Sequence, residues 1–127
     1  MALTEKAYKA LEAIVGIDNI SDDPAICDSY AFIFPHHGES FLLTQMGKGQ
    51  GHFSPRPEAV ILPGSTEEVQ AIVKTCNRYK LKYKAHSTGW IFGATPVFEG
   101  IIILDMRRMN RILKIDQKNM YAVIEPY

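Results

Sequence analysis

Several things are scarce in this sequence, and each scarcity removes a class of function. Net charge is absent: 14 Lys and Arg offset 14 Asp and Glu over 127 residues. General nucleic-acid binding and attachment to acidic membrane surfaces both draw on a positive excess, so neither is expected. Cysteine is nearly absent, with only Cys27 and Cys76. Two cysteines make neither a four-ligand zinc site nor a disulfide scaffold. Cys76 falls on the apolar face of an expected helix and reads as a small buried hydrophobe. Long apolar runs are missing too. Ile101 to Leu104 is far shorter than the ~20 residues of a membrane-spanning helix. Met1 to Lys6 lacks the basic start and apolar stretch of a signal peptide. A cytoplasmic protein is the expectation.

What is present suits one globular domain. The chain is 46% hydrophobic and 22% charged, and a domain of this length buries roughly two thirds of its unfolded surface. Ala7, Ala10, Leu11 and Ile14 recur at helical spacing and predict a helix from about Glu5 to Val15. Thr4 caps its start and Gly16 suits its stop. A second short helical turn begins at Asp23 or Pro24, with Ser21 and Asp22 as candidate caps. Tyr30 to Phe34 reads as a short strand. Gly38, Gly47, Gly49 and Gly51 then mark a long irregular loop up to Pro55 and Pro57. Its His36, His37 and His52, with Glu39, offer metal-ligating atoms. They show no helical i, i+4 pair, so a solvated loop is the better reading.

The stretch from 58 to 85 is the clearest. Glu58 to Leu62 reads as a strand and Pro63-Gly64 as a turn. Ser65 and Glu68 form a capping box at the head of a helix ending near Lys80. Val69, Ile72, Val73 and Cys76 supply its apolar stripe. Leu81, Tyr83 and Ala85 alternate with Lys82 and Lys84, which predicts a strand with one wet face. Strand, helix, strand is one βαβ unit with parallel strands. Ile101 to Leu104 reads as a strand buried on both faces. A turn of helix follows from Arg107 to Ile112. Leu113 to Asp116 and Met120 to Glu125 form a hairpin across Gln117 to Asn119, with Asn119 suited to a left-handed position. The fold class is α+β, α/β-like in its βαβ unit, with a small mixed sheet flanked by helices.

The segment after Ala85 leaves the C-terminal end of a parallel strand, where α/β sheets bind ligands. It gathers Ser87, Thr88, Gly89, Gly93 and Ala94. Small residues let backbone amides approach a ligand, and glycines turn successive amides inward, which suits a phosphate. It is neither a Walker loop nor a GxGxxG fingerprint. Asp105 follows a buried strand and reads as a turn or cap residue. Arg107, Arg108, Arg111 and Lys114 form a basic cluster, ordinarily a solvated face. Trp90 and Phe92 serve equally as core residues or as stacking partners for a planar ring.

The order of pieces is more specific than any one of them. Arg56-Pro57-Glu58-Ala59-Val60-Ile61-Leu62-Pro63, Ser65 to Val69, Ser87-Thr88-Gly89, Gly93-Ala94, Gly100 to Asp105, Arg108 to Leu113 and Glu125-Pro126 follow in turn. This resembles the FAD-binding domain of the vanillyl-alcohol oxidase and 4-cresol dehydrogenase superfamily (PCMH-type FAD-linked oxidases). Glycolate oxidase flavin subunits and D-lactate dehydrogenases belong to the same group. The resemblance covers 56 to 126. It implies residues 1–55 as a helical lead-in with an irregular loop and 56–127 as the first of two flavin-binding subdomains. It implies non-covalent FAD, with its pyrophosphate wrapped by His86, Ser87, Thr88, Gly89, Trp90, Ile91, Phe92, Gly93 and Ala94, and with Pro63 near its adenosine half. Covalent attachment through His86 is not expected, because the family's linking motif is not reproduced. Tyr127 stands where the family usually has glycine.

The implied function is the FAD-binding segment of an oxidoreductase acting on a 2-hydroxy acid or a phenolic alcohol. The second flavin subdomain and the catalytic domain are expected from the remainder of the enzyme or a partner subunit. No residue here is assigned a catalytic role. The competing reading is an interaction half-domain that pairs with a partner chain or self-associates without holding FAD.

Overall fold

A computed structural model describes residues 3–31, 54–89, 96 and 98–127. Helix α1, Glu5–Val15, starts where Thr4 Oγ1 accepts from the Ala7 amide and stops at Gly16, whose φ of +84° disfavours a side chain. Strand β1, Ile20–Ser21, follows a 3-10 turn at Ile17–Asn19. Helix α2 is Pro24–Ala31. Its cap is Asp23 rather than Ser21 or Asp22: Asp23 Oδ1 accepts from the Ala25 and Ile26 amides, and Ser21 Oγ accepts from Asp23 itself. The strand expected to begin at Tyr30 is not found there, because Tyr30 and Ala31 complete α2. Phe32 to Phe34 lie outside the described residues.

Strand β2 is Ala59–Ile61, helix α3 is Thr66–Tyr79 and strand β3 is Lys82–His86. Ser65 Oγ accepts from the Glu68 amide as expected, but the Glu68 carboxylate reaches back to the Gly64 amide rather than to Ser65. Lys80 closes α3 in the left-handed conformation. Strand β4, Ile101–Asp105, leads into a 3-10 turn at Met106–Arg108, and strands β5, Ile112–Asp116, and β6, Tyr121–Ile124, form the hairpin. Met120, not Asn119, holds the positive φ of its turn. Asn119 instead donates twice to Asp116.

The main sheet has the order β1-β2-β4-β3, with β1 antiparallel and the other three parallel. Strands β2 and β3 are therefore parallel but separated by β4. Alternation along β2 and β4 divides the core. Ile61, Ile102 and Leu104 pack with Leu11, Val15, Ile72 and Cys76 of α1 and α3. Val60, Ile101 and Ile103 pack on the opposite face with Cys27 and Tyr30 of α2. The described part of the lead-in thus shares a core with the βαβ unit. Strand β3 corrects the expected alternation. It lies at the sheet edge, and Tyr83 and Ala85 are exposed although they share a face with Ile102 and Leu104. Both cysteines are free and buried, and burial pushes each thiol up to about 11.

Candidate functional site

Because β2, β4 and β3 run parallel, their C-terminal ends open on the same edge of the sheet. After β2, Pro63 is buried and Gly64 turns beneath Arg108. A Cβ on Gly64 would lie 2.7 Å from that guanidinium, so a side chain there would push the end of Arg108 aside. Arg108 Nη1 donates to the Leu62 carbonyl at 2.7 Å and to Glu68 Oε2 at 3.3 Å, pinning the turn.

At the end of β3, His86 is half-buried, and Ser87, Thr88 and Gly89 are exposed beyond it. Gly89 has φ of +73°, a conformation that lets consecutive amides point to one side. Ser87 Oγ donates to the Pro126 carbonyl at 2.5 Å, so this hydroxyl joins the loop to the stretch following β6. Trp90, Ile91, Phe92, Gly93 and Ala94 lie outside the described residues, as do His36, His37, Glu39 and His52.

At the end of β4 stands Asp105, in register with His86 and with no exposed surface. Its Oδ1 accepts from the Arg107 amide at 2.9 Å, the cap expected of it. Its Oδ2 accepts from Tyr30 Oη at 2.5 Å and from Arg107 Nε at 2.9 Å. Arg107 Nη2 also donates to Tyr30 Oη at 2.9 Å. Burial pushes the Asp105 carboxyl up, and the hydrogen bonds from Arg107 and Tyr30 outweigh it and hold the carboxyl below its usual range. Burial and the neighbouring carboxylate raise the Tyr30 phenol. The sequence reading missed Tyr30 and the burial of Asp105. The available signal was an aspartate ending an otherwise wholly apolar strand.

The basic cluster is fully engaged in ion pairs. Arg107 pairs with Asp105, Arg108 with Glu68, Arg111 with Glu125 and Lys114 with Asp116. An anion at the sheet edge would therefore be held first by backbone amides. A cleft of about 670 Å³ lies near the opposite, N-terminal ends of β2 and β4, between Tyr8, Pro24, Arg56 and Glu58. Its Glu5, Asp22, Glu58 and Glu99 make it a poor place for a diphosphate. Among the described residues, no group of three or more His, Cys, Asp or Glu could hold a metal, and no helix is long and apolar enough to cross a membrane.

The residues at the C-terminal edge fit a diphosphate-bearing cofactor: exposed small residues, a glycine at positive φ, and a location beyond parallel strands. Comparison with known proteins agrees. A family model described as an FAD binding domain matches residues 57–126. The flavoprotein subunit of 4-cresol dehydrogenase (hydroxylating) from Pseudomonas putida is 44% identical over 73 residues, covering 55% of this chain and 14% of that protein. Glycolate oxidase subunit GlcD of Bacillus subtilis is 32% identical over 75 residues, covering 58% of this chain and 16% of that protein. The crystal structure of p-cresol methylhydroxylase with substrate bound superposes with a TM-score of 0.76 at 31% identity, over 98% of this chain and 23% of that one. The chain spans less than a quarter of each of these relatives. It belongs to the FAD-binding domain family of the PCMH-type FAD-linked oxidases, whose cofactor is FAD.

Proposed function

We propose that this chain is the pyrophosphate-holding segment of an FAD-dependent oxidoreductase that oxidises a phenolic alcohol or a 2-hydroxy acid. The observation that carries this is the exposed bend Ser87-Thr88-Gly89 at the C-terminal edge of three parallel strands, with Gly89 at φ +73°. Its backbone amides are donors toward the pyrophosphate, continued by Trp90 to Ala94. His86 supports the bend from beneath, and the Pro63 turn borders the adenosine half. Similarity to 4-cresol dehydrogenase supports a phenolic substrate, and similarity to glycolate oxidase supports a 2-hydroxy acid. FAD supplies the hydride-accepting ring in such an enzyme. The residues of this chain bind and orient; the substrate side belongs to the remainder of an oxidoreductase or to a partner subunit.

The test is a titration of the purified chain with FAD, followed by flavin absorbance and fluorescence quenching. Wild type gains a bound-flavin spectrum, and Gly89→Val loses it while its circular dichroism is unchanged. A chain that stays colourless, or a variant that takes up FAD as wild type does, sinks the assignment. The second reading is an interaction half-domain, and one observation favours it. The hairpin leaves Ile112, Ile115 and Ile124 exposed at 67, 65 and 63%, an apolar surface suited to a partner chain or a second copy.

A further inference from the structure

A carboxylate taken wholly out of water costs several kcal/mol unless its acceptor sites are filled. Asp105 meets that demand with donors from three places: the Arg107 backbone, the Arg107 side chain and the Tyr30 hydroxyl. Tyr30 comes from α2, 75 residues earlier in the chain. Its hydroxyl donates to Asp105 and accepts from Arg107, so the phenol ring is fixed at its far end. That ring and the imidazole of His86 meet in a T-shaped contact, with centroids 5.2 Å apart and planes at 71°. On its other contact the same imidazole lies against Gly89. A Cβ placed on Gly89 would stand 3.0 Å from both His86 Cε1 and Nε2.

We infer that Tyr30, anchored by Asp105 and Arg107, is a positioning residue that sets the backbone of Gly89 through the His86 ring. The physical chain is short. Asp105 fixes the phenol, the phenol limits the imidazole, and the imidazole fills the space where a Gly89 side chain would be. Gly89 is then held at a positive φ that an exposed glycine would otherwise sample among several states. Pre-setting that conformation reduces the ordering cost a ligand meets on binding. The effect on cofactor affinity rests on the flavin reading of the loop; the effect on Gly89 does not.

The test uses the full chain with ¹⁵N-labelled amides and an FAD titration in parallel. Tyr30→Phe removes one oxygen and keeps the ring, so ring-current effects at His86 persist. The Gly89 and Thr88 amide signals are expected to shift or broaden, while those of Ile72 and Cys76 stay in place. FAD binding weakens about tenfold, the scale of one lost hydrogen bond to a charged group. A Gly89 amide that superposes on wild type overturns the inference. Where wild type binds FAD, equal affinity in the two proteins overturns it as well. If wild type takes up no FAD but Gly89 still responds, the relay stands and the flavin reading fails. His86→Ala provides a second route that leaves the buried carboxylate intact. It should displace the same Gly89 signal, and an undisturbed signal there also overturns the relay.

Discussion

Two parts of the molecule use nearly the same residues with opposite results. In β4, Ile101, Ile102, Ile103 and Leu104 are exposed by 5, 0, 0 and 1%. In the hairpin, Ile112, Leu113, Ile115 and Ile124 are exposed by 67, 57, 65 and 63%. Strand β4 has a strand on each side, α1 and α3 over one face and α2 over the other. The hairpin has only its own two strands. Its register still divides it, with a bulge between Ile112 and Lys114. Lys114 pairs with Val123 and Asp116 with Tyr121 on one face, where Lys114 donates to the Tyr121 hydroxyl at 2.6 Å. Ile115 with Ala122, and Ile112 with Ile124, make up the other face, which carries no charge. A two-stranded hairpin is marginal in water without a covering layer. Apolar strands thus promise burial, but only neighbouring layers deliver it.

The largest expected effect tests the covered side. Ile103→Ala should cost about 2–5 kcal/mol in urea unfolding, the range for emptying a packed core site. Ile115→Ala should stay within about 0.5 kcal/mol, as surface substitutions do. Equal costs would erase the distinction between the two regions.

Acid titration sharpens it next. The folded carboxyls of Asp105 and Glu125 lie below their usual range, the first against its burial and the second through hydrogen bonds from Arg111. A depressed folded pKa contributes stability that is present above the unfolded value and lost as pH falls through the folded one. Thermal midpoints should therefore drop from about pH 4 downward. Asp105→Asn should flatten that acid limb more than Glu125→Gln, because Asp105 and Arg107 are 0 and 51% exposed against 7 and 68% for Glu125 and Arg111. A reversed order would place the electrostatic anchor in the hairpin.

Loosening the covering layer has a smaller effect. Ser65→Ala removes the acceptor for the Glu68 amide and should cost about 1 kcal/mol of stability. Smallest in stability, though not in association, is Ile115→Lys. Sedimentation should show less self-association than wild type, with the unfolding midpoint nearly unchanged. Identical sedimentation of the two proteins would remove the hairpin from the interaction reading.

Local signals accounted for much of the fold. Thr4 and Ser65 announced their helices because a cap is one side chain meeting an amide three residues on. The apolar stripe of α3 and the run in β4 were equally legible, since periodicity is a property of neighbours in sequence. The larger errors fell where a distant element decided the outcome. Tyr30 looked like the start of a strand, yet its hydroxyl closes α2 onto a carboxylate 75 residues away. Tyr83 and Ala85 alternated like core residues, but the strand order put β3 at the edge. The four basic side chains read as a solvated face and are exposed, but the sequence did not show that each has an acidic partner. Within the candidate site, the bend after β3 was visible as small residues following a strand. Its support by His86, and its tie to Pro126 through Ser87, were not.

The amino-acid order alone determined which stretches could be helix or strand and where glycine had to turn the chain, because those choices are settled by contacts a few residues apart. Tertiary structure alone decided which isoleucines are dry, which arginines are neutralised and what stands beneath Gly89. Each of those depends on groups brought together from far along the chain, and a buried charge such as Asp105 is tolerable only once they have arrived.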